Sequence, residues 1–341
     1  MIIYPNEIKK GDTIGITATS SGSSEEADLK KLDNAYKNIT NLGYKYIETD
    51  NVRKNSKLVS SEPEIRAKEF MNLWMNDNIS WIAAVSGGEF LMEILPYLDS
   101  ETIRSNSPKW VQGFSDTSLL LYYLTTKFNI ATVHATNFRT YGMRELDKTL
   151  LKTIEILEEG KRSEQVSLEL YEAQRRGKGE ELEPFNLTEK VEYKHLYKKK
   201  EDEIEGRLIG GCIDVLKNLI GTRFDNTINF CQQFKKEGML WYLENCEMSV
   251  AELYRSLWQM KECGWFNNAN GFLIGRTFSK ENVEDFTYQD ALHKIFDDLN
   301  IPVIYDVDIG HVAPQWTMIN GAYGRFKFNV EKTCKIIQEM V

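Results

Sequence analysis

The chain has 341 residues, 42% hydrophobic and 27% charged, which excludes a disordered polymer, a collagen or a simple coiled coil and leaves a folded protein of roughly two domains. Its 42 basic against 51 acidic residues give a formal charge of −9, a field that repels phosphate backbones, so no nucleic-acid polymer is expected as a partner. The five cysteines, Cys212, Cys231, Cys246, Cys263 and Cys334, are scattered and fit neither a disulfide framework nor a CxxC metal site, which points to a reducing compartment. No signal-peptide pattern opens the chain and no apolar run reaches the about eighteen residues of a membrane span, so the expectation is a cytoplasmic protein without a membrane partner.

The first third alternates short apolar runs with amphipathic stretches, the pattern of strand–helix units that build a largely parallel sheet. Asp12–Ala18 predicts a buried strand that runs into a small polar loop and a helix over Glu25–Leu42. Tyr44–Thr49 predicts a strand and Glu62–Met75 a helix; Ser80–Val85 is a strand stopping at Ser86-Gly87-Gly88, and a helix follows over Phe90–Leu98. Lys109–Gly113 is the next strand, breaking at Phe114-Ser115-Asp116 into a helix over Thr117–Lys127, with a further strand at Ile130–His134. Between Leu168 and Gly206 Glu, Lys and Arg crowd together and apolar periodicity fades, which reads as a solvated linker or, alternatively, a loop that covers substrate. Strands then follow at Gly238–Leu243, Gly271–Gly275 and Pro302–Asp306, with helices at Val250–Lys261 and Tyr288–Leu299. The fold class is α/β in two domains. Residues 1–165 form an N-terminal domain with a mostly parallel sheet flanked by helices, 166–206 a charged linker or covering loop, and 207–341 a smaller C-terminal α/β domain.

Parallel sheets gather ligands at the carboxyl ends of their strands, where turns into helices present free backbone amides. At Gly113-Phe114-Ser115-Asp116-Thr117 a serine stands between an apolar strand and a helix, a geometry like a nucleophile elbow, although Ser115 and Asp116 serve equally as helix caps. A serine hydroxyl needs a base, and the chain has four histidines. His195 lies among lysines in the charged segment and reads as exposed; His293 lies in an amphipathic helix. His134 ends a strand near the site and reads as a substrate contact or a buried, hydrogen-bonded residue. His311 follows the strand 303–306 and the turn Asp308-Ile309-Gly310, which makes it the candidate base. Its other nitrogen needs an acceptor, and Met239–Leu243 delivers Glu244 at its carboxyl end.

These residues, with Leu243-Glu244-Asn245, Gly310-His311, the Ser86-Gly87-Gly88 turn, Leu95-Pro96-Tyr97-Leu98-Asp99, Gly210-Gly211-Cys212 and Gly221-Thr222, resemble the L,D-carboxypeptidase family of serine peptidases, over about Gly11 to Gly324. That family includes murein tetrapeptide carboxypeptidases and microcin C immunity peptidases; length, the charged segment and Thr140-Tyr141-Gly142-Met143 look more like the immunity branch. The resemblance implies a Ser115–Glu244–His311 triad and an oxyanion hole made by the amide of Asp116 and that of Gly87 or Gly88. It also implies two domains, a cytoplasmic homodimer, and no metal or cofactor. Immunity members stack an aromatic ring of the loop on a nucleobase, a role open here to Phe185, Tyr193 or Tyr197, with His134 as a further substrate contact. The expected reaction is hydrolysis of a C-terminal amide in a small peptide or peptide–nucleotide conjugate. The alternatives are a murein tetrapeptide carboxypeptidase and a non-catalytic binder of small anions at helix N-termini. A basic residue is expected to meet a substrate carboxylate, and Arg139, Arg144 and Arg276 are the unranked candidates. The loop after the first strand does not fit GxGxxG, and HExxH is absent, which argues against nucleotide-dependent redox chemistry and metal hydrolysis.

Overall fold

The computed structural model describes residues 1–174, 176–177 and 179–341. Short runs of small and β-branched residues form the parallel strands of a first sheet: β1 (Thr13–Thr17), β2 (Lys45–Glu48), β3 (Ile79–Ala84), β4 (Trp110–Gly113) and β5 (Thr132–His134), in the order β5-β4-β3-β1-β2. The remaining strands are β6 (Arg162–Val166), β7 (Leu170–Tyr171), β8 (Glu189–Lys190), β9 (Lys194–His195), β10 (Glu201–Cys212), β11 (Met239–Glu244), β12 (Ala269–Gly275), β13 (Val303–Val307), β14 (Met318–Asn320), β15 (Tyr323–Asn329) and β16 (Lys335–Glu339). The second sheet runs β6-β16-β15-β10-β11-β12-β13-β9, parallel from β10 to β13 and antiparallel towards both edges. β7 and β8 pair as a separate antiparallel ribbon.

The two sheets share one hydrophobic core. Between them lies the helix Ser118–Phe128, which is apolar on every side and buried at every residue except Lys127; a helix with no polar face has to be enclosed. It packs on β5 on one side and β10 on the other. Each half of the chain also lends a strand to the other half's sheet. β14 pairs antiparallel with β5 in the first sheet, and β6, which the sequence places in the N-terminal domain, is an edge of the second. The carboxyl ends of β4, β11 and β13 are thereby held on one rim.

Three segments depart from the sequence reading. The expected helix at Phe90–Leu98 is a 3-10 segment, Leu91–Tyr97, with Pro96 inside it; proline lacks the N–H of an α-helical ladder. The charged stretch is not a linker throughout, because its last part, from Glu201, is the first half of β10. There Glu203 and Glu205 face Lys327 and Arg325 on β15 and pair with them at 3.1 and 3.2 Å, so a strand that reads as solvated charge is a cross-strand ladder. His195, expected at the surface, is buried: its Nε2 lies 3.1 Å from Asp202 Oδ2, and its Nδ1 accepts from the Tyr197 amide at 3.0 Å. No helix of the described residues is long and apolar enough to cross a membrane.

Candidate active site

β4 ends at Gly113, and two residues later Ser115 adopts φ +62°, the left-handed region that a serine rarely enters. Such a conformation costs about 1–3 kcal/mol and persists only where its surroundings impose it. Here the constraint is local. A side chain on Gly113 would sit 2.5 Å from Thr117 Cγ2 and 2.9 Å from Asn137 Oδ1, and that same Oδ1 accepts from the Phe114 amide at 3.1 Å. The chain therefore leaves the strand sharply, and the tight turn Ser115–Thr117 leads directly into the buried helix. The Ser115 hydroxyl stands at the amino-terminal end of that helix.

β11 ends on Glu244, which is wholly buried, and the turn after β13 presents His311 to it. Two glycines make the room: a Cβ on Gly310 would fall 2.5 Å from Glu244 Oε2, and one on Gly275 2.9 Å from Glu244 Cβ. His311 Nδ1 lies 2.8 Å from Glu244 Oε2 and its Nε2 lies 3.0 Å from Ser115 Oγ. With carboxylate on one side and hydroxyl on the other, the imidazole donates from Nδ1 and accepts at Nε2. Burial opposes the charged form of His311, but the Glu244 carboxylate outweighs it and holds the imidazole above the ordinary histidine range. Burial likewise opposes charge on Glu244, and His311 reverses that, keeping the carboxyl below its usual range. The Phe114 ring packs 4.8 Å from the His311 ring, centroid to centroid. Among the described residues one set of potential metal ligands, Cys212, Glu244 and His311, has ligand atoms within 4.8 Å of one another. Two of its three members already engage each other, and His311 also engages Ser115.

The structure separates the two glycines of the first turn. Gly87 abuts the serine: a Cβ there would lie 2.8 Å from Ser115 Cβ, 2.9 Å from its Oγ and 3.6 Å from the Asp116 amide nitrogen. Gly88, at φ +151°, faces the loop after β1, where a Cβ would meet Ser20 Oγ at 2.2 Å. The Asp116 carboxylate is a brace, accepting from Ser20 Oγ at 2.5 Å and from the Leu91 amide at 2.8 Å. Burial pushes its pKa up.

Ser115, His311 and Gly87 line a cleft of about 760 Å³. Asp28 and Lys31 of the helix Glu26–Asn41 form one wall, Arg139 another, and part of the charged segment, including Glu172, Glu181 and Phe185, a third. Phe185 is thus where the sequence places it. The other three expected contacts are not; Tyr197 packs instead beside His195 and His293. Tyr193 is buried, its hydroxyl donating to Asp308 Oδ2 at 2.5 Å, and it does not line the cleft. His134 is fully buried under β14, which pairs with its strand at Met318; neither ring nitrogen has a hydrogen-bond partner, and burial pushes its pKa down to about 4. Of the three arginines, only Arg139 reaches the cleft. Arg144 is exposed and pairs with Glu183 at 2.9 Å, and Arg276 is sealed against Asp308 at 2.5 Å. Lys31 was missed by sequence reasoning. The available signal is its register: it precedes Ala35 by one helical turn, on the side of the buried stripe Leu32, Ala35, Tyr36 and Ile39.

Comparison with known proteins gives a consistent picture. Residues 14–135 match a family model described as the LD-carboxypeptidase N-terminal domain, and residues 205–326 one described as the LD-carboxypeptidase C-terminal domain. The chain is 25% identical to the microcin C7 self-immunity protein MccF of Escherichia coli, over 90% of this chain and 88% of that one. It is 23% identical to a Bacillus subtilis protein named "Probable murein peptide carboxypeptidase", over 97% and 93%. A solved structure of microcin C7 self-immunity protein MccF in complex with aspartyl sulfamoyl adenosine superposes with a TM-score of 0.82 at 21% identity, covering 99% of both chains.

Proposed function

The chain belongs to the LD-carboxypeptidase family, and from that premise we propose that it is a serine peptidase in which Ser115 is the nucleophile, His311 the general base and Glu244 the group that orients and charges the base. The observation that carries this reading is the continuous relay from Ser115 Oγ through both His311 nitrogens to Glu244, at 3.0 and 2.8 Å, with the serine held in a strained turn. His311 takes the hydroxyl proton as Ser115 Oγ attacks the amide carbon. The developing oxyanion is met by the backbone amides of Asp116 and Gly87, beside which only a glycine leaves space. His311 then passes the proton to the leaving nitrogen, and water, activated by the same imidazole, cleaves the ester.

The substrate we propose is a small peptide–nucleotide conjugate, cut at the amide that joins its acyl residue to the nucleotide part. Two features support it: Phe185 offers an aromatic face in the cleft wall, and a structural neighbour holds an aminoacyl sulfamoyl nucleoside. The test runs aspartyl sulfamoyl adenosine and a murein tetrapeptide in parallel on the wild type and on Ser115→Ala. Wild-type cleavage of the conjugate, with a loss of roughly a millionfold in kcat for a folded Ser115→Ala protein, is the expected result. Cleavage of the tetrapeptide alone overturns the substrate assignment. An unchanged rate in the variant, or no adduct at Ser115 with a serine-directed phosphonate, overturns the nucleophile.

A further inference from the structure

The charged groups around the cleft are nearly all engaged with one another. Arg139 pairs with Asp28, Arg144 with Glu183 at 2.9 Å, Arg176 with Glu180 at 3.7 Å and Lys30 with Glu181 at 3.8 Å, while Glu172 Oε1 accepts from the Asn186 amide at 2.8 Å. Lys31 is different. It lines the cleft, yet it makes no hydrogen bond or ion pair among the described residues. It is half-buried on a regular helix, so it is not a long side chain waving in solvent. Burial, and then the neighbouring Arg139, hold its pKa below the ordinary lysine value against the opposing pull of Glu172, Asp28 and Glu181. Glu172, Asp28 and Glu181 lie near enough to favour its charge, but none is in hydrogen-bond contact with it, so its N–H donors remain open to an incoming anion.

We propose that Lys31, supported by Arg139, is a specificity-determining residue that receives a carboxylate of the substrate. Carboxylate fits the site because the acids around it repel a more highly charged anion, whereas a single negative charge can take the hydrogen bonds that the Lys31 ammonium does not give to Glu172, Asp28 or Glu181. Two substrate groups carry that chemistry: an acidic side chain on the acyl residue of a conjugate, and the terminal carboxylate of a peptide. The inference rests on the cleft being the substrate site of the proposed peptidase, but its test needs no turnover.

Calorimetry on the Ser115→Ala protein, with and without Lys31→Met, measures binding of two matched pairs. One pair is aspartyl against asparaginyl sulfamoyl adenosine, and the other is a tetrapeptide with a free against an amidated terminus. The expected result is that the parent prefers the carboxylate in one pair by roughly ten- to a hundredfold, that Lys31→Met erases the preference, and that Lys31→Arg restores most of it. The pair that responds identifies which group Lys31 holds. A preference that survives in Lys31→Met, or a parent that shows none in either pair, overturns the assignment. If the preference follows Lys31 while the wild type cleaves none of the four ligands, the peptidase reading fails and the carboxylate site stands. If ligands are cleaved but the preference ignores Lys31, the reverse holds.

Discussion

His134 and His311 sense the same buried carboxylate, Glu244, from two regions of the molecule, the sealed floor below the cleft and the cleft itself, and the two regions move their pKa values in opposite directions. On the floor nothing accepts a proton's charge: His134 packs 5.4 Å from the Tyr242 ring, has no hydrogen-bond partner, and burial drives its pKa down to about 4. At the cleft His311 is also buried, but the 2.8 Å contact with Glu244 reverses the effect of burial. For His311 the charge of Glu244 at hydrogen-bond distance outweighs burial; for His134, which makes no such contact, burial wins.

Removing the carboxylate should collapse this difference. Glu244→Gln keeps the shape between Gly275 and Gly310 while leaving His311 buried without its counter-charge. We expect kcat to fall by roughly ten thousandfold, the size seen when a serine-peptidase acid is made an amide. If His311 is the base proposed above, kcat/KM depends on the neutral imidazole, and its rise with pH should lie above the ordinary histidine value in the wild type and move to lower pH in the variant. A pH profile with an unmoved limb would show that Glu244 does not set the titration of His311.

The two glycines sharpen the same contrast at a smaller magnitude. Gly87→Ala would put a methyl 2.8–2.9 Å from the Cβ and Oγ of Ser115, displacing the serine or filling the space for the oxyanion, with a loss of about a hundred- to a thousandfold in kcat. Gly88→Ala would strike Ser20 instead, from a backbone angle that favours glycine, and should cost folding stability. Steady-state kinetics and melting temperatures on the pair distinguish the roles. Equal kcat for Gly87→Ala and wild type would remove Gly87 from the site.

The three side chains that the structure brings together, Ser115, Glu244 and His311, were legible in the sequence because each lies at or just beyond the end of an apolar strand, a local signal that needs no partner to be read. What was not legible depends on partners far along the chain. His134 has the same strand-end signal, but β14, nearly two hundred residues later, closes over it. Tyr193 reads as a loop aromatic until Asp308 takes its hydroxyl. The acids of β10 read as solvated until the basic residues of β15 lie opposite. Lys31 is concealed differently: a lysine on an amphipathic helix reads as solvent-facing, although its register, one turn before Ala35, sets it beside the buried stripe.

The smallest expected effect is on stability rather than rate, and it isolates the floor from the cleft. In the unfolded chain His134 binds a proton near pH 6.5, whereas in the folded protein it does so only near 4. Between those values the unfolded state holds the extra proton, so acid lowers stability, by about 3 kcal/mol once pH passes below both. His311 works the other way. Its raised folded value adds stability that is fully present below the ordinary histidine pKa and is lost as pH rises through the folded one. Urea unfolding of wild type and His134→Leu at pH 7 and pH 4 should therefore show the wild type losing ground to the variant by that amount as pH falls, with kcat at neutral pH changed little. A constant stability gap between the two proteins across the range would mean that His134 does take up its proton in the fold, and the division between floor and cleft would fail with it.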